Sequence, residues 1–296
     1  MRRRRFALGA AAVALSAGVL LTSGRASSGP IPGFSLLDRG PDGGTVWQGA
    51  IPNTVVPHTR NGQSVVYLPP GYSTAARYPV VYLLHGLPGS PYSVANGMRF
   101  AEIADPLVTS GVLQPFIAVV PAGPPPKYDG EWAGLWERYL LRDVLPWSAT
   151  NLPVATAAAR RTLAGYSAGG FGAVDIGLRH RSLFSTVESW SGYFDPPHDG
   201  PFRHASPATL RANDPTLVAR RDAAALRAGR LQVFLSVGST HDRWTEARTL
   251  AFASELRALH VPYRLWLAPG GHDGKFWREQ LPAALEYAVP WPSRTA

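Results

Sequence analysis

Short, unbroken apolar runs alternate with longer helix-forming stretches along most of this chain. The strand-like runs fall at residues 65–68, 80–84, 116–120, 161–164, 186–190, 233–237 and 264–267. Between them lie helix-forming stretches at about 93–110, 135–145, 168–179, 216–228, 245–260 and 275–287. A strand with one wet face alternates polar and apolar residues, whereas a strand buried on both faces does not. Val80-Val81-Tyr82-Leu83-Leu84 has no polar alternation. This pattern predicts one α/β domain with a mostly parallel, doubly wound sheet, flanking helices and a ligand site at the carboxyl ends of the strands. No internal repeat and no second domain interrupts it. Residues 191–215 lack periodicity and contain Pro196, Pro197 and Pro201. They are expected to cross the carboxyl-end face as a small cap or lid loop. Residues 27–44, rich in Gly, Pro and Ser, read as an irregular lead-in to a domain spanning 45–296.

The first 26 residues belong to a different argument. Arg2 to Arg5 precede an apolar stretch over 6–21, and Thr22-Ser23-Gly24-Arg25-Ala26 follows. Charged head, apolar middle and small-residue end are the anatomy of an export signal cleaved near Ala26. Arg3-Arg4-Arg5-Phe6 fits the twin-arginine variety. Left uncleaved, the same segment would tether the protein to a membrane. It holds five of the 29 basic residues and no acid, which leaves 24 against 20 and a net charge of +4. The remaining arginines are scattered singly or in pairs, so a nucleic-acid partner is not expected. With no cysteine, disulfides, thiolate metal sites and a cysteine nucleophile are excluded together. At 45% hydrophobic content, 296 residues suffice for a core without such staples.

Chemistry enters at Gly165-Tyr166-Ser167-Ala168-Gly169, between a strand-like run and a helix of small residues. A serine hydroxyl needs an exposed, constrained position and a base, and a sharp strand-to-helix turn supplies the first. The partners are expected at later strand ends, in the order acid then histidine. Asp242 follows the run 233–237 and His272 follows 264–267. Ser167 is then the nucleophile, His272 the base that takes and returns its proton, and Asp242 the group that orients the imidazole. Glu246 and Asp273 compete for the acid's role; Asp242 is preferred for its place in the strand-end loop. Oxyanion donors are expected at the backbone N–H of Ala168 and of Leu87, since Pro88 has none. His85 precedes Ser167 and so reads as a loop-shaping residue. His198, Asp199 and His204 read as polar loop decoration, and no metal site is expected. Trp132, Trp136, Trp244 and Trp277, with Tyr193 and Phe194, fall near strand ends, where they would line an acyl channel, stack on sugars or pack in the core.

Several segments together resemble one esterase family. They are Leu83-Leu84-His85-Gly86-Leu87, Gly165 to Ala173, Ser189-Trp190-Ser191-Gly192, and Gly270-Gly271-His272-Asp273 with Trp277. The family includes S-formylglutathione hydrolases, feruloyl-type esterase domains and secreted mycolyltransferases, and the resemblance covers about residues 60–290. It implies an α/β-hydrolase fold without a large separate cap, and catalysis that needs no metal or organic cofactor. It supports Ser167, Asp242 and His272 as a triad and Leu87 and Ala168 as oxyanion donors. Mycolyltransferases usually carry an aspartate and an arginine where this chain has His85 and Pro88. Met is usual at Ala168 and Leu at Tyr166. The expectation is therefore an exported serine esterase acting on a small-molecule or cell-envelope ester. A trehalose or cell-wall mycolyltransferase-like acyltransferase is the runner-up. An inactive binding protein on the same fold is the alternative of another class.

Overall fold

The computed structural model describes residues 29–56, 62–124, 131–229 and 231–291, so residues 1–26, where an export signal is expected, lie outside the described residues. Nine strands form one sheet: β1 (Ser35–Arg39), β2 (Thr45–Ala50), β3 (Gln63–Leu68), β4 (Val80–Leu84), β5 (Ile117–Val120), β6 (Arg161–Tyr166), β7 (Thr186–Trp190), β8 (Gln232–Gly238) and β9 (Tyr263–Ala268). Their spatial order is β1-β2-β3-β5-β4-β6-β7-β8-β9. The pairings from β5 through β9 are parallel, and β1, β2 and β3 add an antiparallel wing.

The helices are α1 (Phe100–Thr109), α2 (Leu135–Tyr139), α3 (Leu145–Asn151), α4 (Ala168–Arg179), α5 (Pro207–Ala212), α6 (Pro215–Gly229), α7 (Arg243–Ala258) and α8 (Gly274–Ala288). Val81 and Leu83 of β4 pack in a cluster with Ala101 and Ala104 of α1 and Leu281 and Leu285 of α8. Val80, Tyr82 and Leu84 face a second cluster that includes Ala173 and Ile176 of α4. Both faces of β4 are therefore dry, which explains its unbroken apolar run. The connection β4–α1–β5 steps one way across the sheet and β6–α4–β7 the other, so right-handed crossovers put α1 and α4 on opposite faces. The direction changes between β4 and β6, and a crevice opens at their carboxyl ends.

Three expectations need correction. Residues 27–44 are not wholly irregular, because β1 forms within them and a tight turn at 40–44 leads into β2. The turn closes around the buried Asp105 carboxylate of α1, which accepts the N–H groups of Asp42 (3.1 Å) and Gly44 (2.8 Å) and the Tyr67 hydroxyl (2.8 Å). β1 is largely exposed and its only apolar residues are Leu36 and Leu37, too short a run to mark a strand. The stretch 93–110 is two pieces, a π-helical turn at Ser93–Gly97 and then α1, separated where Arg99 takes φ 55°. The stretch 135–145 runs on to Asn151 through a π-helical segment at Leu140–Val144. Residues 191–215 do cross the carboxyl-end face, but Tyr193 and Phe202 are packed against Phe171 rather than free.

Arg179 fastens the far end of α4 to α2. Its guanidinium forks onto Glu137 (2.7 and 2.9 Å) and onto Asp175 (3.0 and 2.7 Å), and His180 also meets Glu137 at 2.8 Å. Burial pushes Asp175 up to about 6, an effect that Arg179 only partly offsets. Burial also acts upward on Glu137, but bonds from His180 and Arg179 outweigh it and hold that carboxyl at about 2.

Candidate active site

Ser167 sits between β6 and α4 with φ 55° and ψ −123°, a backbone conformation that costs a non-glycine residue roughly 1–3 kcal/mol. The turn is that sharp because strand and helix nearly touch. A Cβ on Gly165 would lie 2.2 Å from Gly169 O, and one on Gly169 would lie 2.0 Å from Leu84 O. Neither position admits any side chain, so the flanking glycines are required by contact. The Ser167 carbonyl accepts the N–H groups of Gly170 and Phe171, and its own N–H bonds Trp190 O at 2.9 Å. The hydroxyl is thereby left at the carboxyl-end face.

The loops after β8 and β9 continue the parallel pairing of their strands. Ser239 N bonds Ala268 O, Thr240 N and His241 N bond Gly270 O, and His241 pairs with Gly271 as an isolated bridge. Asp242 and His272 are the next residues, so the ladder delivers them side by side. His272 Nδ1 is 3.0 Å from Asp242 Oδ2, and His272 Nε2 is 2.9 Å from Ser167 Oγ. A carboxylate only accepts, so Nδ1 carries the proton and Nε2 is left to accept the serine hydroxyl. Asp242 occupies the N-cap position of α7 yet makes no side-chain cap bond. Its carboxylate turns to the imidazole instead. Asp273, by contrast, caps α8 by accepting Phe276 N at 3.0 Å. The structure brings Ser167, His272 and Asp242 together and occupies Asp273 elsewhere.

Ala168 opens α4, where first-turn N–H groups have no intrahelical partner and the helix dipole is positive. Across the crevice, His85-Gly86-Leu87 follows β4. Gly86 presses on the Ser167 turn, where an added Cβ would lie 2.9 Å from Ser167 Cβ. His85 Nδ1 donates to Gly86 O at 2.9 Å, and burial pushes the ring down to about 4, keeping it neutral. Leu87 and Ser167 both line a cleft of about 400 Å³, together with Pro88, Met98, Tyr166, His272 and Trp277. A larger depression of about 630 Å³ beside Tyr72 and Arg77 lies near the start of β4 and has neither histidine nor carboxylate in its wall.

The four tryptophans part company. Trp132 is fully buried and donates Nε1–H to His85 O at 2.9 Å; Trp136 is 8% exposed and packs on Trp132 and Tyr139. Both are core residues, which corrects their expected contact with substrate. Their helix-start and loop positions lie under the carboxyl-end face rather than on it. Trp277 lines the cleft and meets the His272 ring edge-on, with centroids 5.1 Å apart. Trp244 is 54% exposed, lies edge-on to Tyr193 and carries the Arg248 guanidinium at 3.9 Å. Met98 is a cleft residue that sequence reasoning missed, and a single methionine after a π-helical turn gives no signal. Among the described residues no group of three or more His, Cys, Asp or Glu could hold a metal, and no helix is long and apolar enough to cross a membrane.

Compared with known proteins, the chain matches the family described as "Putative esterase" over residues 59–288. It is 30% identical over 169 residues to an esterase of Mycobacterium tuberculosis, covering 54% of this chain and 35% of that protein. It is 31% identical over 129 residues to an endo-1,4-beta-xylanase/feruloyl esterase of Xylanibacter ruminicola, covering 40% of this chain and 18% of that protein. The chain thus spans little more than a third of the first relative's length and less than a fifth of the second's. Among solved structures, a ferulic acid esterase superposes with a TM-score of 0.73 at 23% identity, covering 83% of this chain and 98% of that one. An S-formylglutathione hydrolase from Staphylococcus aureus gives 0.67 at 17% identity, covering 86% and 99%. At such identities the structural likeness speaks for the fold.

Proposed function

Because the chain belongs to the putative esterase family, a family of carboxylic ester hydrolases, and has the α/β-hydrolase fold, we propose that it hydrolyses a carboxylic ester through an acyl-Ser167 intermediate. One observation carries this reading: the relay from Ser167 Oγ to His272 Nε2 and from Nδ1 to Asp242, opening on the cleft. Ser167 Oγ attacks the ester carbonyl carbon while its proton passes to His272 Nε2. The carbonyl π pair becomes an oxyanion facing the N–H groups of Ala168 and Leu87. Asp242 stabilises the imidazolium. Collapse breaks the acyl C–O bond, and His272 hands its proton to the departing alcohol. Water, deprotonated by His272, then releases the acid and restores Ser167.

The apolar wall of Leu87, Pro88, Met98 and Trp277 suits an acyl chain or ring. Residues 1–26, read as an export signal, assign this activity to the outside of the cell or to its envelope. The substrate is a small-molecule or cell-envelope ester.

A fluorophosphonate probe tests the nucleophile: it should label the wild type and not Ser167→Ala. A folded wild type that stays unlabelled would favour an inactive binding protein. A p-nitrophenyl ester series of increasing acyl length, run with and without trehalose, measures transfer against hydrolysis. Acyl-trehalose as the main product would replace hydrolysis by the mycolyltransferase-like reading.

A further inference from the structure

Two residues outside the relay converge on the backbone that carries the Leu87 donor. The Trp132 side chain is wholly buried, so its one N–H has no water to turn to, and it is given to His85 O at 2.9 Å. The indole is seated by glycines on two sides. A Cβ on Gly172 of α4 would lie 2.3 Å from Trp132 Cβ, and one on Gly123 would lie 2.5 Å from Trp132 Cζ2 and from His85 Nε2. His85 supplies the next link. A carbonyl only accepts, so the 2.9 Å contact to Gly86 O fixes the proton on Nδ1. Gly86 O and the Leu87 N–H belong to one planar trans peptide and point in opposite directions. Holding the oxygen back against the histidine ring therefore turns the N–H of Leu87 away from it, and Leu87 lines the cleft with Ser167. Gly86 has no side chain to hold its own peptide, so the orientation of that peptide is left to the two carbonyl bonds and to its close packing on Tyr166 and Ser167.

We propose that Trp132 and His85 are positioning residues that aim the Leu87 N–H at the developing oxyanion, Trp132 by holding His85 O and His85 by holding Gly86 O. This rests on the acyl-serine reading above. It also explains why a tryptophan buried beneath the site lies bonded to a strand-end loop 47 residues before it. Neither residue touches substrate.

Trp132→Phe keeps most of the ring and deletes the N–H. On p-nitrophenyl acetate its kcat should fall roughly 10- to 100-fold, with KM within about twofold of wild type. Binding of a trifluoromethyl ketone should weaken by the same factor. In that adduct Ser167 Oγ bonds the carbonyl carbon, its proton goes to His272 and the ketone oxygen becomes the oxyanion. An unchanged kcat, or a lower kcat with unchanged ketone affinity, overturns the proposal. Should Trp132→Phe not fold, His85→Asn against His85→Leu decides the matter. Asn can still donate to Gly86 O and should keep about tenfold more turnover than Leu; equal turnover overturns the clamp. Ser167→Ala separates the two layers. If it retained wild-type turnover, the acyl-serine reading would fall. If it is inert while Trp132→Phe binds the ketone normally, only the clamp falls.

Discussion

Acid should destabilise the fold through His85 in a way that one substitution removes. The ring is buried, and its folded pKa drops from 6.5 to about 4, chiefly by desolvation. A depressed folded pKa means that the contribution is fully present above 6.5 and is lost as pH falls toward 4, because the unfolded chain takes up the proton first. At about 1.4 kcal/mol per unit, the loss is about 2 kcal/mol by pH 5 and about 3 kcal/mol once pH reaches 4. Asp175 acts in the opposite sense. Its folded pKa is raised from 3.8 to about 6, so it adds stability as pH falls through that window. Buried Glu188, its carboxyl also held well above the usual range, acts in the same sense as Asp175, so only the difference between two proteins isolates His85. Urea unfolding of wild type and His85→Asn at about pH 7.5 and about pH 5 should show the variant gaining about 2 kcal/mol relative to wild type at the lower pH. Asp175 and Glu137 are common to both proteins and cancel. Parallel losses in the two proteins would refute the reasoning.

Other outcomes follow from single contacts. Asp242→Ala should cut turnover by orders of magnitude while Glu246→Ala leaves it near wild type, measured on one p-nitrophenyl ester; the reverse ranking would reassign the acid. Glu188 is fully buried and burial pushes its carboxyl well above the usual range, the Trp190 bond only partly offsetting this. A raised folded pKa means stability lost as pH rises, so Glu188→Gln should unfold at a higher temperature than wild type at pH 8, and a lower midpoint would count against it. Gly169→Ala places a methyl 2.0 Å from Leu84 O and should cost more than about 3 kcal/mol in urea unfolding, with loss of fluorophosphonate labelling. Trp136→Ala should cost about 3–5 kcal/mol, whereas the exposed Trp244→Ala should cost less than about 1 kcal/mol in the same assay.

The parallel half of the sheet was legible because its strands are buried on both faces, so apolar runs such as β4 mark them directly. Helix α4 was legible to the residue, since the small side chains after Ser167 have no other place in an elbow. The places of Asp242 and His272 could be read from chain order together with their positions just after strand-like runs, because parallel topology puts successive strand-end loops at one edge. Of the antiparallel wing only β3 was legible, as the run at 65–68, while β1 and β2 were not. Its first strand is exposed, and its turn at 40–44 is organised by Asp105, more than sixty residues away. Trp132 and Trp136 were misplaced for a related reason: sequence puts a side chain near an edge but does not say whether it points over or under it. Trp132 donates to His85 O beneath the face, whereas Trp277 lines the cleft.

The rung between His241 and Gly271 has a consequence for motion. Asp242 and His272 ride on adjoining rails of one backbone ladder, whereas Ser167 stands at the end of a strand separated from theirs by β7. Breathing of the sheet would carry imidazole and carboxylate together and spend its amplitude on the gap to the serine. That gap is the joint at which the three hydrogen-bonded side chains would part and rejoin.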